Sequence, residues 1–426
     1  MKNLFKKMLF ALATLVTVFT VNTSVLAQDK DALVDIKNGK LHAVLAGDGP
    51  YTVVFEAGFV SDLSVWRKVA PNIAKHAQIL VYSRAGVGQS PARSQALNLS
   101  QHTEELHQLV SALEIKKPLI LVGHSYGGWV VRQFASAYPK QVAGLVLVDP
   151  ANETLEIELK KIDAGKVVQD QQRLASMAPP SAKLDLALVQ TIFDQGKLPN
   201  PAALPNVPMA ILSSVQEFKN NPFFQETAVA LQVKRDLHAK LANGFSNASH
   251  IVTNRSGHHI QMEEPHLVIN AIEQIITSLT IEAEKLARQQ AKQQARQQVM
   301  VALEQAASAL QNQQAESAKN TVSTALKTSK FSEGEINQLG FDVMTKGKQA
   351  LMAELIFRFN VEQFAQSDNA YDSHGEALLE LGRYAEAKAQ FTKAISLAQA
   401  NPQRSPKAIK GYQDNLAKAE QALQKK

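Results

Sequence analysis

The chain has 426 residues, of which 45% are hydrophobic and 20% charged, and it contains no cysteine. Disulfide bonds, zinc sites built on thiolates and thiol catalysis are therefore excluded, while the length allows more than one domain. The formal charge of +6 falls to about +3 without the basic leader described next. No basic patch interleaved with aromatic residues accompanies this charge, so the composition argues against a nucleic-acid-binding protein.

The N-terminal stretch, residues 1–27, is typical of a secretory signal peptide. Three lysines form a basic region, and Met8–Val21 is apolar but short for a membrane span. Small or modest residues indicate cleavage after Ala27; an uncleaved membrane anchor is the alternative. The sequence therefore predicts an exported bacterial protein, periplasmic or secreted, with no stable membrane anchor after cleavage.

Predicted strands and helices alternate from residue 30 to about residue 150. A hairpin is expected around Asn38-Gly39, and residues 64–74 are expected to form one helix. Because strands alternate with helices, a mostly parallel sheet is expected. The apolar runs that predict its strands are Thr52–Phe55, Gln78–Tyr82, Leu119–Val122 and Gly144–Val148.

Residues 151–206 interrupt this alternation. They combine charged helical stretches with Pro179-Pro180 and a segment rich in proline, asparagine and alanine, a pattern that favours an inserted helical lid. Strands are expected again at Val207–Leu212 and Ser249–Thr253. A helix is expected from Pro265 to Leu279.

The stretch Gly123-His124-Ser125-Tyr126-Gly127 matches the pattern G-x-S-x-G between a predicted strand and a predicted helix. In that context the serine lies on a sharp, strained turn that exposes its hydroxyl. Glycines are needed on both sides because a Cβ there would collide with the neighbouring strand or helix. The helix N-terminus places backbone N–H groups near the serine, ready for a developing oxyanion. Ser125 is therefore the predicted nucleophile.

Four motifs, in this order, resemble the α/β-hydrolase fold of the lidded, single-domain esterase or lipase type. The resemblance covers residues 28–280 and implies an α/β fold class with a mostly parallel sheet and a helical lid. It also implies cleavage of a small carboxylic ester through an acyl-enzyme, with no metal and no organic cofactor. The motifs are Glu56-Ala57-Gly58-Phe59, Tyr82–Ser90, the serine turn, and Gly257-His258-His259-Ile260 followed by Pro265.

The resemblance also implies the partners of Ser125. The catalytic base falls on His258, with His259 as the neighbour most easily confused with it. The usual position of the acid falls on Glu217, although the usual Gly-x-x-Asp turn is absent there. Asp149, at the end of the preceding strand, corresponds to an alternative position that some lipases of this fold use. Both carboxylates satisfy the chain order serine, acid, histidine, so both remain open.

The oxyanion hole is expected from two backbone N–H groups, those of Tyr126 and Phe59. The chain has Glu56-Ala57 where many relatives have a histidine before the glycine. Backbone donors tolerate this difference, since no side chain is used.

The C-terminal part differs in composition. Residues 281–333 predict a helical linker, and residues 334–426 contain a self-match with a period of 35 residues that resembles the tetratricopeptide repeat. The resemblance implies an all-α domain that binds a protein partner or a second copy of the chain. The residues paired by this period are Gly340 with Gly375, Val343 with Leu378, Gly347 with Gly382, and Ile356 with Phe391.

Two alternatives to an esterase remain open from the sequence. Amide hydrolysis, lactone opening and acyl transfer use the same residues as ester hydrolysis. A protein-binding module that carries an inactive hydrolase domain is the alternative from a different class.

Overall fold

The structure is a computed structural model that describes residues 30–178, 182–200, 203–218 and 221–425. The predicted signal peptide and Pro179-Pro180 of the predicted lid lie outside the described residues. The chain divides into two compact units, the first ending at Ile281 and the second beginning at Glu282. No helix in the described ranges is both long enough and apolar enough to cross a membrane.

The first unit is built on an eight-stranded sheet, whose order in the described residues is β1-β2-β4-β3-β5-β6-β7-β8. The β1–β2 and β2–β4 pairs are antiparallel, and all other neighbouring pairs are parallel. The predicted hairpin at Asn38-Gly39 and the mostly parallel sheet are both confirmed. The strands are β1 Lys30–Ile36, β2 Gly39–Ala46, β3 Thr52–Glu56, β4 Gln78–Tyr82, β5 Leu119–His124, β6 Val142–Val148, β7 Met209–Ser214 and β8 Ala248–Thr253.

Helices cover both faces of this sheet, because alternate residues of a strand point to opposite sides. On β5, Leu119 and Leu121 pack into one apolar cluster, and Ile120 and Val122 pack into the other. The helices of this part of the chain are α1 Ala70–Ile73, α2 Leu99–Ala112, α3 Tyr126–Ala137, α4 Leu155–Met177, α5 Lys183–Gln195, α6 Ala228–Asn243, α7 Ile260–Glu263 and α8 Pro265–Gln311.

Two predicted helices have different bounds in the structure. The single helix expected over residues 64–74 is wrong, because a 3₁₀ turn at Leu63–Trp66 ends before α1 begins. Pro71 lies in the first turn of α1, where its missing N–H is tolerated, whereas a helix interior would not accept it. The helix expected to end at Leu279 continues to Gln311, since the intervening residues are good helix formers without glycine or proline.

In the described residues between β6 and β7, the chain forms the helices α4 and α5. Asp163, with φ −154° and ψ 89°, kinks α4 near its middle. On either side of that kink, Leu159 and Val167 pack with Phe224 and Ala230, which lie after β7. The insertion is therefore joined to the chain that follows the sheet by its own small apolar cluster.

The second unit is helical throughout its regular elements. Its main apolar cluster joins residues of α8, α9, α10 and α11. A short π-helix, Asp342–Lys346, follows α10. The helices are α9 Ala315–Ser329, α10 Glu333–Phe341, α11 Ala350–Gln363, α12 Asp368–Glu380, α13 Tyr384–Ala400 and α14 Pro406–Gln424.

The two sequence copies contain the same glycine-on-phenylalanine contact. A Cβ on Gly340 would meet the ring of Phe357, and a Cβ on Gly375 would meet the ring of Phe391. The pairing of Ile356 with Phe391 is therefore wrong by one residue. The π-helix explains the shift, because one turn of i→i+5 bonding accommodates one extra residue in the first copy.

Candidate active site

Ser125 lies between the end of β5 and the start of α3, with φ 53° and ψ −120°. A non-glycine residue in this region is strained, and such strain persists only where the surroundings enforce it. Here the Ser125 N–H donates to Val148 O at 3.1 Å, and Ser125 O accepts from the N–H of Gly128 at 2.9 Å. The turn is therefore bonded on both sides, and the side chain is only half-buried.

The two glycines of the motif are required by close approach of the backbone. A Cβ on Gly123 would lie 2.5 Å from Gly127 O, and a Cβ on Gly127 would lie 2.5 Å from Glu56 O. Real Cβ atoms do not approach oxygen this closely. The collisions expected from the sequence are thus present, one with the helix and one with the end of β3.

Asp149 and His258 meet at the same edge of the sheet. Asp149 follows β6 and is fully buried, and its Oδ2 lies 2.7 Å from His258 Nδ1. His258 lies in the loop after β8, with 40% of its side chain exposed. Since the buried carboxylate can only accept, His258 donates from Nδ1 in its neutral form, which leaves Nε2 as an acceptor.

Two further groups bind the Asp149 carboxylate. The Ser214 N–H at the end of β7 donates to Oδ1 at 2.9 Å, and Lys234 Nζ on α6 lies 2.9 Å from Oδ2. Burial alone would raise the pKa of Asp149, but the Lys234 charge and the His258 hydrogen bond hold this pKa well below its usual range. Asp149 is therefore ionised and held by partners from three elements.

The loop that carries His258 is fixed by hydrogen bonds to its backbone. Ser214 Oγ donates to Ser256 O at 2.7 Å, and Gly257 N donates to a Glu263 carboxylate oxygen at 2.9 Å. His124 Nε2 lies 2.9 Å from His258 O, with the two histidine rings 4.7 Å apart. The residue directly before Ser125 therefore contacts the residue expected to be its base.

In the part of the chain that the structure describes, neither His259 nor Glu217 forms a hydrogen bond with Asp149. The His259 side chain is exposed, with its ring 5.1 Å from that of His124. Glu217 is exposed in the segment after β7. The strand β7, which precedes Glu217, instead supplies the Ser214 N–H that donates a hydrogen bond to Asp149.

The loop after β3 lies directly beside the serine turn. A Cβ on Gly58 would be 2.9 Å from His124 Nδ1 and 3.4 Å from Ser125 Cβ. The rings of Phe59 and Tyr126 are in edge-to-face contact, with centroids 5.9 Å apart. Tyr126 is the first residue of α3, so its N–H has no acceptor within the helix. Both residues expected to donate to an oxyanion thus lie next to Ser125.

A cavity of about 340 Å³ opens beside this loop, and its lining includes Val60, His102 and Asp185 of the insertion. The His102 ring lies against that of Tyr126, with centroids 5.9 Å apart. Burial, together with the nearby Arg84 and Arg93 charges, lowers the pKa of His102 to about 3. The cavity is therefore bordered by a neutral imidazole.

Two charged residues of this region were missed by sequence reasoning. Lys234 lies on the inward stripe of α6, which repeats every four residues through Ala230, His238 and Ala242. A lysine on an apolar stripe requires a buried anion, and that signal was available in the sequence. Arg84 lies within one of the motifs that resemble the α/β-hydrolase fold, but no sequence pattern predicted which residues it contacts.

In the described ranges no group of three or more histidine, aspartate or glutamate side chains is placed to hold a metal ion.

A family model, several relatives and several solved structures match this chain. A family model described as alpha/beta hydrolase fold matches residues 51–189. The chain is 27% identical over 227 residues to the uncharacterized protein YqjL of Bacillus subtilis, covering 53% of this chain and 83% of that protein. It is 23% identical over 193 residues to monoacylglycerol lipase abhd6-B of Xenopus laevis, covering 44% of this chain and 55% of the lipase.

Among solved structures, the chain is similar to the carboxylesterase CesB from Bacillus subtilis at 15% identity and a TM-score of 0.40. That match covers 58% of this chain and 92% of CesB. The family match and the sheet order confirm the predicted fold class, an α/β-hydrolase fold with a mostly parallel sheet followed by a helical C-terminal region. The C-terminal region is helical in the structure, while its resemblance to tetratricopeptide repeats stays a prediction.

Proposed function

We propose that the chain is a serine hydrolase that cleaves carboxylic esters through an acyl-enzyme on Ser125. The observation that carries the proposal is the 2.7 Å contact between His258 Nδ1 and the buried Asp149 carboxylate. His124, the residue directly before the strained Ser125, in turn contacts the His258 carbonyl. A serine is activated when a base lies beside it and an acid holds that base in orientation. The similarity to a monoacylglycerol lipase, whose name denotes an ester substrate, supports the same reaction class.

In the proposed reaction, His258 accepts the Ser125 proton at Nε2 while Oγ attacks the ester carbonyl carbon. Asp149 keeps the imidazole in this tautomer and stabilises the imidazolium that forms. The carbonyl oxygen becomes negative and is stabilised by the N–H groups of Phe59 and Tyr126. His258 then returns the proton to the leaving alcohol, and water hydrolyses the acyl-enzyme by the same steps.

The nucleophile is tested by a fluorophosphonate probe and by hydrolysis of a p-nitrophenyl ester. Ser125→Ala is expected to abolish labelling and to lower kcat by about a million-fold, because the covalent route is removed. Ser136→Ala, on the same helix α3, is the matched control and should behave like wild type. Activity of Ser125→Ala near wild type would contradict the assignment of Ser125 as the nucleophile.

The base is tested in the same assay. His258→Ala should be nearly as damaging as loss of Ser125, since the two act as one unit. His259→Ala is the neighbouring control and should be mild, because its side chain is exposed. The reverse result would move the base by one residue.

The substrate and the location are part of the proposal. A panel of p-nitrophenyl esters of increasing acyl length, run beside an anilide and a lactone, separates ester cleavage from amide and lactone chemistry.

Export with cleavage after Ala27 is tested by the N-terminal mass of the secreted or periplasmic protein. An intact N-terminus would favour a membrane anchor instead.

A further inference from the structure

Arg84 is a buried charge that the proposed reaction does not use. It follows β4, is 4% exposed, and forms an ion pair with Glu56, which is 1% exposed at the end of β3. The hydroxyl of Tyr82 also donates to the Glu56 carboxylate. Burying two charges is costly and is repaid only when both are well paired and hydrogen-bonded, so the placement of this pair calls for a reason.

The remaining donors of Arg84 bind the loop beside Ser125. Nη1 donates to Ala57 O at 2.7 Å, and Nη2 donates to Gly58 O. Gly58 O also accepts from the Ser61 N–H at 3.2 Å. One planar guanidinium thus holds two consecutive carbonyl groups, which the single ammonium of a lysine could not match.

Holding Gly58 O sets the direction of the next N–H. The peptide group between Gly58 and Phe59 is planar, and no cis peptide bond occurs in the described chain. In a trans peptide the C=O and the N–H point in opposite directions. Because Gly58 O is held by Arg84, the Phe59 N–H points to the opposite side of the peptide, away from the guanidinium.

The same guanidinium contacts the residue that supplies the other oxyanion donor. Its carbon lies 5.1 Å from the centre of the Tyr126 ring, a cation–π geometry. Glu56, which pairs with Arg84, lies in register beside Gly123 on the neighbouring strand β5. Arg84 therefore connects the loop after β3 to the serine turn.

We propose that Arg84 is a positioning residue of the oxyanion hole, which orients the Phe59 N–H by holding the carbonyl groups of Ala57 and Gly58. The inference rests on the proposed function, since an oxyanion forms only if Ser125 attacks a carbonyl. Glu56 serves this arrangement by neutralising the guanidinium.

The test compares Arg84→Lys and Arg84→Met with wild type on a matched ester and thionoester. Rates are expressed per active site, counted by complete fluorophosphonate labelling, so that loss of folded protein does not enter. We expect kcat for the ester to fall about 100-fold with KM little changed, since loss of one oxyanion donor typically costs this much or more. The ratio of ester to thionoester rates should also fall. The sulfur of a thionoester accepts hydrogen bonds weakly, so its hydrolysis gains little from the oxyanion hole even in wild type.

Arg132→Met, on α3, is the matched control, since it breaks a part-buried ion pair with Glu153 that does not involve the loop after β3. It should leave the ester to thionoester ratio unchanged. If both Arg84 variants fail to fold, Glu56→Gln is the substitute, because it keeps the guanidinium but removes the charge that it pairs with. For this variant we expect kcat to fall about tenfold and the ratio of ester to thionoester rates to fall as well.

An ester kcat per active site within about threefold of wild type, or equal losses on both substrates, would overturn the assignment of Arg84. Absence of hydrolysis and labelling in the wild type would instead overturn the proposed function.

Discussion

Asp149 receives its partners because β6 and β7 are parallel neighbours whose carboxyl ends meet at one edge of the sheet. A carboxylate that directly follows β6 can then accept from the N–H of Ser214, the last residue of β7. Asp149→Asn is expected to lower kcat by about four orders of magnitude, because His258 loses the partner that orients it. Glu217→Gln is the control, and its exposed side chain predicts a change within twofold in the same ester assay.

A mild effect of Asp149→Asn with a severe effect of Glu217→Gln would reverse this assignment. If both replacements were mild, an incomplete triad and the protein-binding alternative would be favoured.

Lys234 competes with His258 for the same carboxylate oxygen, since both nitrogens lie within 3 Å of Asp149 Oδ2. Asp149 is buried, so removal of one of its positively charged partners leaves a less compensated charge away from water. Lys234→Met is therefore expected to lower the free energy of unfolding of the first unit by about 3 kcal/mol, as measured by urea unfolding.

The control is Lys160→Met, which removes a more exposed lysine paired with Asp194. Its free energy of unfolding should lie within about 1 kcal/mol of that of wild type. Equal effects of the two replacements would show that Lys234 contributes no more to stability than an exposed lysine.

At the scale of elements, α12 and α13 pack through a glycine. A Cβ on Gly375 would lie 2.5 Å from the Phe391 ring, whereas a Cβ on Gly411 of α14 would meet nothing within 4 Å. Gly375→Ala is therefore expected to destabilise the second unit by about 1–3 kcal/mol through overpacking. Gly411→Ala, the matched control, should stabilise it by up to about 1 kcal/mol because alanine favours a helix.

Both glycine variants are compared by urea unfolding of the full chain, followed by circular dichroism and by hydrogen exchange of α12 and α13. Equal effects of the two replacements would contradict the close packing of α12 on α13.

At the scale of the molecule, every residue proposed for the chemistry lies in the unit that ends at Ile281. A chain truncated there is expected to keep kcat/KM for a short ester within tenfold of the full chain, a change of less than about 1.4 kcal/mol. Self-association or binding of a protein partner, which we propose for the repeat-like helices, should be lost and is measured by particle size.

Truncation at Ile281 also cuts α8, which runs to Gln311. A second chain ending at Gln311 keeps that helix whole and separates the two effects. A loss of more than tenfold in both folded chains would mean that the second unit contributes to the active site.

The sequence by itself determined the strands of the sheet and the strand–turn–helix context of Ser125. These depend on contacts within a few residues, which apolar runs, glycines and short motifs record directly. The bounds of two helices were predicted wrongly. Residues 64–74 contain a 3₁₀ turn and a separate short helix with Pro71 in its first turn, and α8 continues past Leu279.

Only the tertiary structure decided which carboxylate faces His258. Asp149 is 109 positions from His258 and 85 from Lys234, and no local pattern encodes a contact across such distances. The same holds for Arg84, whose neighbours come from another strand and its loop. The partners of a buried charge are set by how strands are ordered and helices packed, because a charge removed from water must find whichever group the fold brings beside it.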